Sequence, residues 1–388
     1  MDFRLTADQE AMRDAIAAIC KRFGDDYWLK RDRDGGFPDD FYAAFADNGW
    51  LGICIPEEYG GSGLGVTEAS VMMRTIAESG AGMSGASALH INIFGLNPVV
   101  VHGTEEQKRR MLPPMVQGKE KACFAVTEPN TGLNTTQLKT RAVRKGDCYV
   151  VDGQKVWIST AQVADRMLLL ARTTPLEEVS KPTHGLSLFY TRFDRDRIDV
   201  RVIDKMGRKA VDSNELFIEG LEIPEEDRIG EEGRGFEYIL HGMNPERVLI
   251  ASEAVGIGHL ALARATAYAK DRVVFNRPIG QNQAIQHPLA RNWMELEAAW
   301  LMIMRAAWEY DSGLPCGASA NAAKYLAGEA GFNACQQAVM THGGFGYAKE
   351  YHVERYLREV MIPRIAPISP QLVLCFIAEK VLGLPKSY

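Results

Sequence analysis

Residues 148–171 read CYVVDGQKVWISTAQVADRMLLLA, and this stretch decides the fold class. It contains three short, mainly apolar runs, Cys148–Val151, Lys155–Ser159 and Arg166–Ala171, with turn-forming residues between them. Runs of this length and composition predict β-strands. Asp152-Gly153 predicts a tight hairpin turn, because both residues tolerate the positive φ angles that such turns require. We therefore expect a β domain in the middle of the chain.

The sequence on either side of this segment has helical patterns. Thr6 and Gln9 form the pattern of a capping box, and apolar residues follow at helical spacing. Long helical patterns return after about residue 234 and contain few turn signals. We therefore expect an α+β protein with a helical domain at 1–120, a β domain at 121–233 and a second helical domain at 234–388.

The order of these elements argues against a doubly wound dinucleotide-binding domain, because the predicted strands do not alternate with helices. The glycine cluster Gly60–Gly65 does not have the G-x-G-x-x-G spacing of a phosphate-binding loop. We interpret it as a turn between helices.

Composition and charge exclude several classes of protein. The 388 residues are 46% hydrophobic and 24% charged, which is typical of globular domains. A formal net charge of -6 provides no basic field for nucleic acid or an anionic membrane. The eight histidines show no metal-ligand spacing, so we expect no metal.

The cysteines and the apolar runs predict a location. Seven cysteines are scattered along the chain without a C-x-x-C pair, which favours a reducing compartment. The first ten residues are polar and predict a helix rather than a signal peptide, and no apolar run approaches the ~18 residues of a spanning helix. We expect a soluble, cytoplasmic protein.

Five motifs resemble the signatures of one enzyme family. In the β region they are FAVTEP at 124–129 with Gly132, and WIS at 157–159. In the C-terminal half they are Glu246-Arg247, YAKDR at 268–272 with Phe275 and Gln283, and GGFGY at 343–347 with Glu354-Arg355. Their order and spacing resemble those of the acyl-CoA dehydrogenases over essentially the whole chain.

This resemblance implies an FAD enzyme that removes two hydrogens from the carbons next to a CoA thioester. It also implies an N-terminal helical domain, a central β-sandwich or barrel and a C-terminal four-helix bundle. The implied partners are an acyl-CoA substrate, an electron-transfer flavoprotein and further copies of the chain, with a homotetramer favoured over a dimer.

The resemblance also implies a set of FAD-binding residues. Some match positions along the flavin ring, where an uncharged pocket tunes a cofactor that carries the redox chemistry itself. Arg272, Phe275 and Gln283 match positions that contact the FAD of a neighbouring subunit, and two glycines allow the backbone to approach it. The implied FAD-binding residues are Phe124, Val126, Thr127, Trp157, Ile158, Ser159, Arg272, Phe275, Gln283, Gly343, Gly344, Ser369 and Gln371.

The chain departs from the family pattern at two places. Leu133 stands where most members have a serine hydroxyl near the cofactor and substrate. In the C-terminal loop, where many members carry a catalytic glutamate, this chain has Pro367, which neither accepts a proton nor donates an N–H. The adjacent Ile368 is therefore a candidate N–H donor to the thioester oxygen.

Glu246 is the expected catalytic base. In the isovaleryl and long-chain branches of the family the base lies in a Glu-Arg pair on a helix, and Glu246-Arg247 matches that place. Asn244 predicts a helix cap and Pro245 a first helical position, so Glu246 would lie in the first turn and feel the positive end of the helix. The implied substrate-binding residues are Leu133, Asn244, Pro245, Arg247 and Ile368.

Two alternatives stay open from the sequence. The first is a flavin-dependent oxygenase or oxidase on the same fold, which the changes at Leu133 and Pro367 favour slightly. The second is a non-catalytic member of the family that binds CoA thioesters, which the missing loop base would permit.

Overall fold

The computed structural model describes residues 3–387. An N-terminal helical region is followed by a β domain and then by further helices. The first helix begins at the predicted capping box, where Gln9 N–H donates to Thr6 Oγ1 at 3.2 Å and Thr6 N–H donates to Gln9 Oε1 at 3.0 Å. The N-terminal helices are α1 (Ala7–Cys20), α2 (Asp25–Asp34), α3 (Asp39–Ala46), α4 (Val66–Ile76), α5 (Gly82–Phe94), α6 (Asn97–His102) and α7 (Glu105–Val116).

One twisted sheet forms the middle domain. Its order is β6-β7-β3-β2-β4-β5-β8, with β1 parallel to β4 and the neighbouring pairs mostly antiparallel. A core of apolar side chains fills the space beneath it. The strands are β1 (Ala122–Ala125), β2 (Arg141–Lys145), β3 (Cys148–Ser159), β4 (Arg166–Arg172), β5 (Leu186–Arg192), β6 (Ile198–Val202), β7 (Ser213–Pro224) and β8 (Arg228–Ile229).

The hairpin turn predicted at Asp152-Gly153 is wrong, because β3 runs through both residues. The pairing of β3 with β7 shifts register there, which makes the dipeptide a β-bulge. Gly153 packs so closely on Thr140 that a Cβ would lie 2.4 Å from its hydroxyl oxygen. Asp152 Oδ1 accepts the N–H of Gly220 at 2.8 Å. The turn between β2 and β3 lies instead at Gly146-Asp147, where Gly146 has a φ of 64°.

Three long helices form the C-terminal bundle, and α10 packs along α8 and α9. A two-stranded hairpin joins α8 to α9. These elements are α8 (Gly235–Asp271), β9 (Val273–Val274), β10 (Arg277–Pro278), α9 (Gln283–Asp311), α10 (Gly317–His342), α11 (Val353–Glu359), α12 (Met361–Ile365) and α13 (Pro370–Phe376). The predicted α+β fold class is confirmed. The ends of the proposed domain ranges, residues 1, 2 and 388, lie outside the described residues.

The helix start predicted at Asn244 and Pro245 is also wrong. Helix α8 begins at Gly235, and Pro245 lies inside it. The start is fixed by packing on β5, since a Cβ on Gly235 would lie 2.4 Å from the backbone nitrogen of Leu188. Glu246 is therefore several turns into the helix, beyond the first turn over which the helix dipole acts.

The expectation that no apolar run is long enough to span a membrane also needs correction. Helix α8 and the stretch Val353–Val381 both satisfy the length and composition of a spanning helix. The apolar window of α8 is 83% buried inside the protein, as expected for a core helix. The second window is 17% buried, and residues 366–369 interrupt its helices.

Asp311 joins the two helical domains. It lies at the end of α9 and caps α4, which is far away in sequence: Oδ1 accepts Val66 N–H at 2.8 Å, and Oδ2 accepts Thr67 N–H at 2.9 Å and the Thr67 hydroxyl at 2.6 Å. The carboxylate therefore replaces the local N-cap side chain that Gly65 cannot supply.

We predict that Asp311→Ala lowers the free energy of unfolding by roughly 1 kcal/mol, because α4 loses its cap. Asp311→Asn should lose less, since its amide oxygen still accepts one of these bonds. Urea unfolding followed by circular dichroism measures the difference. Asp271→Ala, an exposed aspartate at the end of α8, is the matched control and should stay within about 0.5 kcal/mol of the parent. Equal stability of Asp311→Ala and this control would contradict the capping role.

Candidate active site

A bulge in β3 turns Trp157 out of the middle domain. The pairing with β7 shifts register between Lys155 and Ile158, and Trp157 has a φ of 62°, which non-glycine residues rarely adopt. Its ring is 59% exposed, whereas Ile158 is buried in the core of the sheet domain. Within the WIS motif, the side chain of Trp157 is therefore exposed, whereas the side chain of Ile158 lies inside the domain.

The other flavin motif lies directly beside this bulge. Phe124 is on β1, and the segment that follows it pairs with β3 because Val156 N–H donates to Thr127 O at 2.9 Å. Ser159 accepts a hydrogen bond from Arg208 Nη2 at 2.9 Å. The structure thus brings together Phe124, Val126, Thr127, Trp157 and Ser159.

A buried lysine, which sequence reasoning missed, holds these two motifs together. Lys155 is fully buried, and its Nζ donates to Val126 O at 3.0 Å, Glu128 Oε1 at 3.0 Å and Leu170 O at 2.8 Å. Burial lowers the pKa of Lys155 to about 8, and the charge of Glu128 opposes that shift. The ammonium therefore stays protonated at neutral pH and ties the FAVTEP segment to the sheet. A lysine inside an apolar strand was the signal available in the sequence.

A second group of predicted residues lies at one end of the C-terminal bundle. The hairpin of β9 and β10 has Phe275 at its tip, with a φ of 49° and 94% exposure. Arg272 lies beside it, with its guanidinium carbon 5.8 Å from the ring centre of Phe345. Gly343 and Gly344 are exposed, and no atom lies within 4 Å of where their Cβ atoms would be. Gln283, the first residue of α9, is also exposed.

Glu246 is a buried carboxylate on α8. It is 8% exposed, and its Oε2 has no hydrogen-bond partner among the described residues. Burial raises the pKa of Glu246 above its usual range, and Glu253 adds to that shift. The positive charges of His90, Arg247 and Lys324 act in the opposite direction. These cations favour the ionised form of Glu246, which is the effect expected from the helix dipole on the basis of the sequence.

Arg247 is fixed beside Glu246. Its Nη1 donates to Met243 O at 3.1 Å and to Asn244 Oδ1 at 3.1 Å, so Asn244 orients the guanidinium rather than capping a helix. Pro245 is buried within α8.

The C-terminal loop is held close to Glu246 by Lys324 of α10. Lys324 Nζ donates to Ile368 O at 2.7 Å and to Arg364 O at 3.1 Å, and the same ammonium acts electrostatically on Glu246. Within residues 3–387, the Ile368 N–H donates to no protein acceptor. Ser369 uses its hydroxyl to cap α13 by accepting Leu372 N–H at 3.3 Å, and Gln371 is exposed.

Leu133 lies in an exposed loop and is 53% exposed, so its side chain is not packed in the protein. Two residues earlier, the hydroxyl of Thr131 is buried without a partner. A free hydroxyl is therefore present near the expected place, although on a different residue. In the part of the chain that the structure describes, no group of three or more His, Cys, Asp and Glu side chains could hold a metal ion.

The chain matches three family models that describe the N-terminal, middle and C-terminal domains of acyl-CoA dehydrogenases, over residues 6–119, 123–221 and 233–367. An acyl-CoA dehydrogenase of Mycobacterium tuberculosis is 36% identical over 385 residues, which cover 98% of this chain and 97% of the relative. The caffeyl-CoA reductase-Etf complex subunit CarC of Acetobacterium woodii is 33% identical over 335 residues, which cover 85% of this chain and 86% of the relative.

Solved structures agree with these matches. Butyryl-CoA dehydrogenase of Megasphaera elsdenii superimposes with a TM-score of 0.93 at 29% identity, covering 98% of this chain and 100% of the other. An FAD complex of PigA superimposes with a TM-score of 0.93 at 26% identity, covering 99% and 100%. The predicted family, fold, enzyme class and cofactor are confirmed. The chain belongs to the acyl-CoA dehydrogenase family of FAD-dependent oxidoreductases.

Proposed function

We propose that this protein dehydrogenates an acyl-CoA thioester to a trans-2-enoyl-CoA, with Glu246 as the catalytic base. The observation that carries the proposal is the buried carboxylate of Glu246 with its unpartnered Oε2, opposite a C-terminal loop whose residues 366–369 contain no acid. A carboxylate without a protein partner in a buried site is available to accept a proton from a ligand.

The residues of the chain fit FAD. Trp157 is turned out of the sheet by a bulge, next to the FAVTEP segment that Lys155 holds in place. These residues would hold the flavin ring, while Arg272 would pair with its pyrophosphate near the open backbone of Gly343 and Gly344. When bound, FAD accepts the hydrogen that leaves the β-carbon as a hydride.

The charges around Glu246 allow it to act as a base. Burial favours its neutral form, while Arg247, Lys324 and His90 favour the carboxylate. Burial and the surrounding cations therefore act on the carboxyl group in opposite directions, and a general base is most effective when its pKa lies near the operating pH. Glu246 would take the α-proton of the thioester as the ionised carboxylate.

The C-terminal loop contributes a hydrogen-bond donor instead of a base. Pro367 has no N–H, but the neighbouring Ile368 N–H is unpaired among the described residues, and Lys324 holds the same residue through its carbonyl, with Nζ 2.7 Å from Ile368 O. A preorganised N–H of this kind stabilises negative charge on the thioester oxygen as the α-proton leaves. Leu133, Asn244, Pro245 and Arg247 would line the entrance for the acyl-CoA.

The FAD site is proposed to be completed by a second copy of the chain in a homo-oligomer, most simply a tetramer. Support comes from Arg272, Phe275 and Gln283, which lie exposed at one end of the C-terminal bundle. A phenylalanine that is 94% exposed at the tip of a hairpin is costly in a monomer and is explained if it packs against a neighbour.

We propose an electron-transfer flavoprotein as the electron acceptor, because a relative belongs to a complex named for such a protein. We also propose a cytoplasmic location, since all seven cysteines are free.

We predict that Glu246→Gln lowers the rate of anaerobic flavin reduction by acyl-CoA at least ~10²-fold, because glutamine keeps the size of the side chain but accepts no proton. FAD content should not change. Stopped-flow absorbance measures the rate, and in the parent it should rise as the pH is raised through the pKa of Glu246, because only the carboxylate accepts the proton. Glu379→Gln, a half-buried glutamate near the C-terminus that pairs with Lys380, is the control. An unchanged rate in Glu246→Gln would place the base elsewhere, and a parent that no acyl-CoA reduces would favour the oxygenase or the binding subunit.

We predict that Arg272→Gln loses FAD, because the pyrophosphate would lose a charge-assisted partner. The absorbance ratio of flavin to protein after gel filtration should fall at least ~10-fold at micromolar concentration. Lys270→Gln, two residues away and equally exposed, should keep its FAD. Retention of FAD by Arg272→Gln, or by a monomer of the parent, would argue against a site shared between subunits.

A further inference from the structure

A buried ion pair lies beside Glu246 and has no role in the mechanism above. His90 of α5 and Glu253 of α8 are 6% and 0% exposed, and His90 Nδ1 lies 2.5 Å from Glu253 Oε1. The contact lacks the alignment of a hydrogen bond, so both oxygens of Glu253 and the Nε2 of His90 have no hydrogen-bond partner among the described residues.

The polar atoms of this pair make fewer hydrogen bonds than is usual in a protein interior. Burying an ion pair is costly unless further hydrogen bonds satisfy the remaining lone pairs and protons. Here the protein supplies none of them, although the buried polar groups of native proteins are in general paired. A polar group that enters from outside the chain can supply the missing partners.

The pair lies close to the candidate active site and is linked to the flavin motifs on two sides. The ring of His90 is 5.0 Å from that of Phe94, which in turn is 5.2 Å from the ring of Phe124 in the flavin motif. Arg208 links the pair to the second flavin motif. It donates to Ser159 Oγ at 2.9 Å and acts electrostatically on both His90 and Glu253.

Glu253 follows Glu246 on the same face of α8. Seven residues are two helical turns, or roughly 10 Å along the axis. Both carboxylates and His90 act on one another electrostatically, so the three groups lie near one another. If Glu246 takes the α-proton, an acyl chain that extends along α8 from there leads to His90 and Glu253.

We propose that His90 and Glu253 bind a hydroxyl group on the acyl part of the substrate, so that the preferred substrates are hydroxylated acyl-CoAs. This inference rests on the proposed function, because it takes Glu246 to mark the α-carbon. His90 and Glu253 are then specificity residues, and they lie beyond the reacting carbons.

A hydroxyl fits the pair better than other groups. Burial opposes a charge on His90, but the negative charges of Glu253 and Glu246 and the close contact with Glu253 together raise the pKa of His90, which favours a proton on both ring nitrogens. The hydroxyl can donate to a Glu253 oxygen and accept from His90 Nε2–H, whereas a ketone only accepts and an ammonium only donates. The other charged groups that act on the pair are Glu246 and Arg208, and Glu246 is in turn influenced by Arg247 and Lys324.

The test compares ten-carbon acyl-CoAs with the FAD-loaded parent protein, because an extended chain of this length covers the roughly 10 Å from Glu246 to Glu253 along α8. Decanoyl-CoA, its derivatives hydroxylated at the seventh, eighth or ninth carbon, and the keto analogues are mixed anaerobically with the enzyme, and the second-order rate constant of flavin reduction is measured. We expect one hydroxylated derivative to exceed both decanoyl-CoA and its own keto analogue by at least ~10-fold, because a site built around a hydroxyl rejects analogues that lack it.

A variant with His90→Leu and Glu253→Leu should lose this preference and favour decanoyl-CoA. Glu253→Gln, which changes the packing least, should lower the preference without lowering FAD content. Glu246→Gln should slow all substrates alike.

Two outcomes overturn the proposal in distinguishable ways. If the acyl-CoAs reduce the flavin but decanoyl-CoA reacts at least as fast as every hydroxylated derivative, the hydroxyl site is wrong while the dehydrogenase assignment stands. If no acyl-CoA reduces the flavin of the parent, both are wrong.

Discussion

The ammonium of Lys155 is the interaction on which the candidate active site depends. It lies in the interior of the sheet domain and binds two backbone carbonyls and the Glu128 carboxylate. Glu128 in turn accepts the N–H groups of Lys139 and Thr140 at 2.6 and 2.9 Å. One buried charge pair thereby fixes the FAVTEP segment, the bulge that turns out Trp157 and the loop that follows. Removing one partner would leave the other buried and unpaired, which is more costly than the pair itself.

A second set of charges surrounds Glu246, the proposed base. Glu246 is buried with an unpaired oxygen, and its ionisation depends on Arg247, Lys324 and the His90–Glu253 pair rather than on a helix end. Lys324 also holds the C-terminal loop by the carbonyl of Ile368. The C-terminal loop, which carries Pro367 in place of an acid, is therefore fixed by the same cation that favours the ionised form of Glu246. This connection holds the loop in place although it carries Pro367 and no acid.

The fold was largely predictable because its signals are local. The capping box at Thr6, the short apolar runs and the long helical patterns correspond to helices and strands. The predictions at Asp152-Gly153 and at Pro245 were wrong for a similar reason. Gly153 packs on Thr140 within the sheet, and Gly235 packs on Leu188 at the start of α8, and these contacts override the local turn and cap signals. His90 and Glu253 could not be found from the sequence, because their contact joins two distant helices. The roles of the FAD-contacting residues come from the family resemblance, and the structure adds their positions.

The most direct test of the account separates removal of the α-proton from hydride transfer. An acyl-CoA whose β-carbon cannot release a hydride is incubated in D₂O with the FAD-loaded protein, and deuterium at the α-carbon is followed by mass spectrometry. The account predicts rapid exchange in the parent and exchange at least ~10²-fold slower in Glu246→Gln with the same FAD content. Exchange at the parental rate in Glu246→Gln would contradict it.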